Sequence, residues 1–430
     1  MPDTGGVVSH VNQQRTGQPL LVDLVRQQPR PIGRTEEGEV VMVAGDAGRA
    51  RPDDSLPSPQ PSGATKSGMP QRTLGRTKIR VSGLGAGCWP LGGPDENLGM
   101  PMGWAEIDDA TALAALERAF QRGVTLFDTA DVYGHGRSER RLAGLVAQVP
   151  RHDVVLTSKV GYFCGTAAHG YEPRHMRHQL EQSLLNLGVD FLDIYFLHHQ
   201  DFGPDDRYLP GAIAAMRDFQ AEGLVRAVGM RGPHRFALDR LTTEPHLRGD
   251  KIARFRGLFH EVKPDVLAVR DNLLTPADRS AGIFALADAH QCGVLINKPL
   301  GQGLLTGSYR PGRQRLFGRG DHRGRKRWFG PQAAAVIGAG IDELREVAGP
   351  DTADLVRIAL WSCLSRSAHS AVLVGFTSVE QADMDFGCLR EPPDPATIDA
   401  ARQIMSRVQA TLDASGEVFA DELARTEAAP

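Results

Sequence analysis

Gly123-Val124-Thr125-Leu126-Phe127-Asp128-Thr129-Ala130-Asp131-Val132-Tyr133-Gly134 is an apolar run that stops at an acid and continues into a segment ending Tyr-Gly. A short, nearly continuous apolar run reads as a strand buried on both faces, as in parallel sheets covered by helices. Asp128 and Tyr133 then fall at the strand's carboxyl end. Parallel α/β proteins gather their catalytic groups at such ends, on loops held by rigid strands. Two later segments of the same kind end on Lys159 and His198.

Outward from this stretch, strand-length apolar segments recur at 81–84, 124–127, 154–158, 191–197, 225–230, 266–269, 294–297 and 371–374. Between most of them, apolar residues return every three or four positions, the period of a helix with one buried face. In 108–122, Ala112, Leu113, Leu116, Ala119 and Phe120 share a face, Asp108 stands at the cap position and Gly123 closes the helix. Similar faces are Met176, Leu180, Leu184 and Leu187, then Ile213, Met216 and Phe219, then Ile283, Leu286 and Ala289, then Leu355, Ile358 and Ala359. Eight strands alternating with helices predict an α/β fold, a (β/α)8 TIM barrel. An open doubly wound sheet is the competing architecture. It wants G-x-G-x-x-G opening a helix, whereas Gly83-Leu84-Gly85-Ala86-Gly87 runs into Cys88-Trp89-Pro90.

The chain has 430 residues, 41% of them hydrophobic, enough for a core well beyond the small-domain limit. A net charge of -3 gives no general reason to expect nucleic acid or a membrane surface as partner. No apolar run approaches the length of about 18 residues that a membrane span needs. The cysteines, at 88, 164, 292, 363 and 388, form no C-x-x-C pair, so neither a disulfide framework nor a zinc site is indicated. Met1-Pro2-Asp3-Thr4 lacks the basic and apolar regions of a signal peptide, and a cytoplasmic location is expected. Residues 1–68 are rich in Pro, Gly, Ser, Asp and Arg, which predicts a disordered extension; starts at Met1 and at Met69 both fit. Residues 69–430 are then the barrel with a C-terminal helix.

Asp128, Tyr133, Lys159 and His198 end consecutive strands, so a barrel sets them side by side on one rim. A phenol, with a pKa of about 10, is a poor acid near neutrality unless a cation favours its ionised form. Lys159 could supply that charge, Asp128 could hold the ammonium, and His198 could hydrogen-bond a substrate oxygen. Together they would protonate an alkoxide forming on a carbonyl carbon. Singly, each has a plainer reading: a turn or cap, rim packing, or a solvated strand-end charge. His198 and His199 are adjacent and point to opposite strand faces, so a shared metal ion is not expected.

The segment from about Met69 to Gln409 resembles the aldo-keto reductase family. Residues 123–134 with Ser138-Glu139 resemble its first signature, and 187–198, Leu-Gly-Val-Asp-Phe-Leu-Asp-Ile-Tyr-Phe-Leu-His, its second. Lys298-Pro299-Leu300-Gly301-Gln302-Gly303-Leu304-Leu305-Thr306-Gly307 and Val374-Gly375-Phe376-Thr377-Ser378-Val379-Glu380-Gln381 are similar to its cofactor segments. Arg72-Thr73-Leu74-Gly75 resembles the hairpin that often plugs the barrel bottom. The resemblance implies an NADPH-dependent carbonyl reductase, with NAD as second candidate, acting on an aldehyde, a ketone or a sugar-like carbonyl. Tyr133 would be the general acid, Lys159 and Asp128 its tuners, and His198 the orienting group. Asn272, Lys298, Pro299, Leu300, Gly301, Gly303, Gly375, Thr377, Ser378, Gln381 and Asp385 would hold the cofactor. Trp89, Tyr162 and His199 would wall the substrate pocket. The glycines let backbone N–H groups approach a pyrophosphate, and Thr377 and Ser378 offer hydroxyls and free amides to a ribose phosphate.

The chain departs from the family at named places. Gly229-Met230-Arg231-Gly232-Pro233 stands where a Ser-Asn type pair holds the carboxamide. Ala268 and Asp271 stand where a Gln and a ring-stacking Tyr are common, and Asp385 replaces a frequent Asn. Arg231 reads either as facing an anion or as a solvated loop charge. The basic run 310–315 and 323–328 could fold over a phosphorylated cofactor or simply be solvated. The substituted nicotinamide contacts motivate a second function class, a cofactor-binding regulatory or partner subunit with little turnover. A hydrolase or lyase barrel would need a metal cluster or carboxylate pair that the sequence lacks.

Overall fold

The computed structural model describes residues 68–97, 99–234, 249–310, 312, 315–389 and 391–416. The disordered extension expected over 1–68 therefore lies, but for Gly68, outside the described residues, as do Pro311, Arg313 and Gln314 of the basic run.

Each strand is short and apolar because one face lines a narrow interior and the other lies under helices. Two antiparallel strands come first, β1 (Gln71–Thr73) and β2 (Arg80–Ser82). Eight parallel strands then close a barrel: β3 (Leu84–Gly87), β4 (Leu126–Asp128), β5 (Val155–Val160), β6 (Leu192–Leu197), β7 (Val225–Arg231), β8 (Val266–Arg270), β9 (Gly293–Asn297) and β10 (Ser370–Val374). Closure is made by Val372 opposite Leu84 and Val374 opposite Ala86. Among the helices outside the ring, α1 (Asp109–Gln121) starts where expected, the Asp108 carboxylate accepting from Thr111 N at 2.8 Å. The last helix described is Pro395–Ala414.

The expected strand over 81–84 is two elements. Val81 pairs antiparallel with Arg72, whereas Leu84 pairs parallel with Val372. Apolar continuity hid the change of partner, since both residues are fully buried. The hairpin does plug the barrel bottom: Leu74, Ile79 and Val81 share one cluster with the inward residues Leu126, Val155, Ile194, Phe196, Ala227, Val266 and Leu295. Gly75 makes the fit possible, with φ +52° and no room for a Cβ, which would lie 2.1 Å from the Gln291 carbonyl.

The same clusters show which side chains look inward. Leu126 and Val155 are interior whereas Phe127 and Leu156 face the helices, so by period two Asp128, Thr157 and Lys159 point into the mouth. Ile194 and Phe196 likewise project His198 inward, and Ala227 and Gly229 lead to Arg231. Two excursions overhang the mouth. One follows β3 and carries the ribbon Glu96–Asn97 with Met100–Pro101; the other follows β9 and carries 3-10 turns at His322–Arg325 and Arg327–Phe329. They meet at a bridge between Gly103 and Asp321.

Leu74→Ala should destabilise the fold by about 2–5 kcal/mol, the usual range for emptying a fully buried leucine site. Urea denaturation measures it, and a change too small to resolve would mean that the hairpin does not seal the barrel.

Candidate active site

A cavity of about 500 Å³ opens at the carboxyl ends of the strands, a size usual for small-molecule sites. Asp128, Tyr133, Lys159 and His198 all line it. Lys159 Nζ donates to Asp128 Oδ2 at 2.8 Å and to the Thr129 carbonyl, while Thr157 Oγ1 donates to Asp128 Oδ1 at 2.6 Å. Both members of the ion pair are buried, and the Lys159 ammonium lies 4.8 Å from the centre of the Tyr133 ring. The rings of Tyr133 and His198 stand edge to face at 5.8 Å.

Burial pulls the Lys159 ammonium down, but Asp128 and Tyr133 more than offset it, and its pKa ends above the ordinary value. Tyr133 is also raised: desolvation outweighs the opposing pull of Lys159. The expectation that Lys159 would favour the ionised phenol therefore holds for its own contribution and fails for the sum. Burial first, then Arg231 and Lys159, holds His198 well below the ordinary imidazole range, so the ring is neutral. Its Nδ1 is buried without a hydrogen-bond partner.

Trp89 and Tyr162 also line the cavity. Trp89 is fixed by its indole N–H donating to Met102 O at 2.9 Å, and Lys298 Nζ lies 4.9 Å over its ring. His199 does not wall the pocket. It follows His198 on the chain and so takes the opposite face, where Nε2 bonds Gly161 O at 2.8 Å and its backbone pairs with the Tyr171 hydroxyl.

Of the residues expected to hold a cofactor, Lys298, Pro299, Leu300, Gly303, Gly375, Thr377, Gln381 and Asp385 line the cavity. Asn272, Gly301 and Ser378 lie behind it and shape the loops. Asn272 Nδ2 donates to Lys298 O at 2.9 Å, and Gly301 turns the chain at φ +58°. Ser378 caps the helix Val379–Gly387, its hydroxyl accepting from Gln381 N. The Thr377 amide donates to Gln381 Oε1 at 2.9 Å, so the Thr377 and Gln381 amides are spent within the protein rather than free.

Asp271 is not at the cavity either. It is wholly buried on the outward face of its strand end, accepting from Ser280 Oγ at 2.9 Å with Arg366 at 3.3 Å. Arg270 and Asn297 instead turn inward and line the site, as do Met102, Trp104, Gln302 and His322. Strand parity could have found Arg270 and Asn297. Trp104 and His322 come from loops that carry no period to read.

The lining fits an anionic dinucleotide. Nine cations (Lys159, Arg231, Lys251, Arg270, Lys298, Arg315, Arg323, Arg325 and Lys326) face two carboxylates, Asp128 and Asp385. Much of the basic run thus belongs to the cavity wall. Arg323 is oriented by Asp321 at 2.7 Å and stacks 4.1 Å over Trp104. Asn297 Oδ1, Gln302 Nε2 and Asp385 Oδ1 are buried with no hydrogen-bond partner, as expected where a ligand supplies the partner. A Cβ on Gly375 would lie 2.9 Å from Pro90, so backbone alone fits there. Among the described residues no group of His, Cys, Asp or Glu could hold a metal ion, and no helix is long and apolar enough to cross a membrane.

Comparisons with known proteins agree with this geometry. The chain is 27% identical to L-galactose dehydrogenase of Arabidopsis thaliana over 352 residues, 80% of this chain and 94% of that protein. It is 25% identical to NADH-specific methylglyoxal reductase of Escherichia coli strain K12, over 73% of this chain and 91% of that one. In fold it is similar to glycerol dehydrogenase of Gluconobacter oxydans, with a TM-score of 0.60 and 22% identity over 80% of this chain and 96% of that one. The model of the aldo/keto reductase family matches residues 84–405, three quarters of the chain, which therefore belongs to that family of nicotinamide-dependent oxidoreductases.

Proposed function

We propose that the protein reduces the carbonyl of a small aldehyde, ketone or sugar-like compound with NADPH, using Tyr133 as the proton donor. The observation that carries this reading is the buried Lys159–Asp128 pair, 2.8 Å long, set against the Tyr133 ring inside an aromatic-walled cavity. A nicotinamide held in this cavity would supply the hydride.

Tyr133 is held protonated by burial, so at neutral pH it carries the proton that the new hydroxyl needs. Lys159 then stabilises the phenolate left behind, and Asp128 keeps the ammonium charged and fixed. His198, neutral and 5.8 Å ring to ring from Tyr133, orients the carbonyl oxygen by a hydrogen bond. Trp89, Tyr162 and Trp104 exclude water from the reacting carbon. Toward the cofactor, the loop 298–303 and Gly375 would hold the pyrophosphate, and Thr377, Gln381 and Asp385 the adenosine half. Arg315, Arg325 and Lys326 favour a phosphorylated ribose through charge-assisted hydrogen bonds.

Tyr133→Phe should lower kcat/KM for carbonyl reduction by about 10²- to 10⁴-fold, the usual range for general acid catalysis, while NADPH still quenches tryptophan fluorescence. Undiminished turnover would remove Tyr133 from the reaction. NADPH binding without oxidation across a broad carbonyl panel would favour the regulatory subunit instead.

The pH profile follows from the direction of the Tyr133 shift. Reduction needs the protonated phenol, so kcat/KM should stay level through neutrality and fall only above the ordinary phenol range of about 10. Stopped-flow NADPH oxidation across pH 6–11 checks this, and a fall centred near neutrality would contradict it.

Asp385 is buried, which pushes its carboxyl up to about 7. A raised carboxyl pKa stabilises the fold fully below the unfolded value of about 4, a contribution lost as pH rises through 7. Asp385→Asn should therefore match the wild type near pH 4 and exceed it at pH 8, by up to about 4 kcal/mol at roughly 1.4 per pH unit. Thermal unfolding of the cofactor-free protein at both pH values measures the difference; no gain at pH 8 would mean that the carboxyl ionises freely.

A further inference from the structure

Arg231 is one of the cations lining the mouth that the mechanism above does not use. It ends β7 on the inward rung, above Ala227 and Gly229, and it lines the cavity. Gly229 is needed beneath it, because a Cβ there would lie 2.2 Å from the Phe196 ring, which floors the site with carbon. The neighbouring rung is Ala268, whose methyl leaves the space across from Arg231 open. The backbone is pinned on both sides. Gln200 Nε2 donates to the carbonyls of Arg231 and Gly232 at 3.0 Å each, and Gly232 N donates to Ala268 O at 2.9 Å.

Among the described residues, no acid pairs with this guanidinium. Of the two carboxylates in the lining, Asp128 is taken by Lys159 and Thr157. Asp385 lies on the helix after β10, three strands round the barrel from β7. The glycine loops assigned to the pyrophosphate follow β9 and β10, two and three strands round the barrel from β7. Arg231 stands instead beside the strand that carries His198, with Leu197 opposite Met230. Its charge bears on both His198 and Tyr133, which puts it at the reacting end.

We propose that Arg231 makes the substrate a carbonyl compound with a carboxylate beside the reacting carbon, a 2-keto acid in the simplest case. The proposal rests on the reading of Tyr133 as proton donor. The planar guanidinium grips both carboxylate oxygens, which leaves the keto oxygen turned toward Tyr133 and His198. Hydride from NADPH forms the new C–H bond and leaves NADP⁺. The carbonyl π pair takes the Tyr133 proton, and the product is a 2-hydroxy acid with its carboxylate untouched. The apolar floor and the unpaired charge select such a substrate over a neutral one, since a half-buried guanidinium gains more from a carboxylate than from an uncharged group.

The test compares benzoylformate with its methyl ester as substrates of the full-length protein with NADPH. The acid should be preferred, and the acid-to-ester ratio of kcat/KM should fall about 10- to 100-fold in Arg231→Met, the usual loss for a hydrogen bond to a charged group. Arg231→Lys, which keeps the charge and loses the fork, should fall between. A ratio unchanged in Arg231→Met overturns the proposal. So does a loss of NADPH affinity that weakens both substrates in step, because Arg231 then holds the nicotinamide. If the wild type oxidises NADPH with neither compound nor any other carbonyl, the reductase reading fails by itself. Calorimetric titration with benzoylformate then decides the Arg231 grip: binding by the wild type and not by Arg231→Met upholds it, and no binding by either overturns it.

Discussion

A side chain on a closed barrel strand has two destinations, and its odd or even position decides between them. Leu126, Val155 and Ile194 occupy the inside of the ring at its lower levels. Two or four residues further on, the same parity delivers Asp128, Lys159 and His198 to the mouth. The buried ion pair exists because two neighbouring strands reach the rim in step: Asp128 is opposite Thr157, with Lys159 the next inward rung. A slip of one residue on either strand would send the acid or the ammonium under the helices. The hairpin belongs to the same constraint, since Leu74, Ile79 and Val81 fill the lower end and leave the upper end as the open one.

That constraint also explains what the sequence disclosed. Apolar runs with polar ends were enough for the barrel and for Asp128, Lys159 and His198, because parity and strand order are local properties. Tyr133 was legible through the glycine and acid around it. His199 departs from the expected pocket wall because neighbours on a strand part to opposite faces, and His198 takes the inward one. Asp271, which stands where a ring-stacking Tyr is common, follows the same rule: it is one residue past the inward Arg270 and so pairs with Ser280 and Arg366. Val81 and Leu84 misled for another reason, since apolarity records burial and does not record the pairing partner. Trp104 and His322 were beyond reach, because only the contact between two excursions distant in sequence brings them over the mouth.

Electrostatically the cavity is uneven. Cations line it almost throughout, yet beside the Lys159–Asp128 pair it keeps a neutral imidazole and a protonated phenol. Burial is the first cause in both cases. Because the imidazole is uncharged there, an oxygen held by it gains a directed hydrogen bond without a further positive charge beside Lys159 and Arg231.

The pairing of β3 with β10 has a consequence for how the ring is made. Leu84 and Val372 are neighbours in space and lie at opposite ends of the barrel sequence. Most of the barrel must therefore be synthesised before its first strand has both partners, a topology of high contact order. During that interval Leu74, Ile79 and Val81 of the hairpin have only part of their apolar surroundings. The seam between the first and last strands, rather than any catalytic loop, is where the nascent chain exposes unpaired edges and where a chaperone would have most to protect.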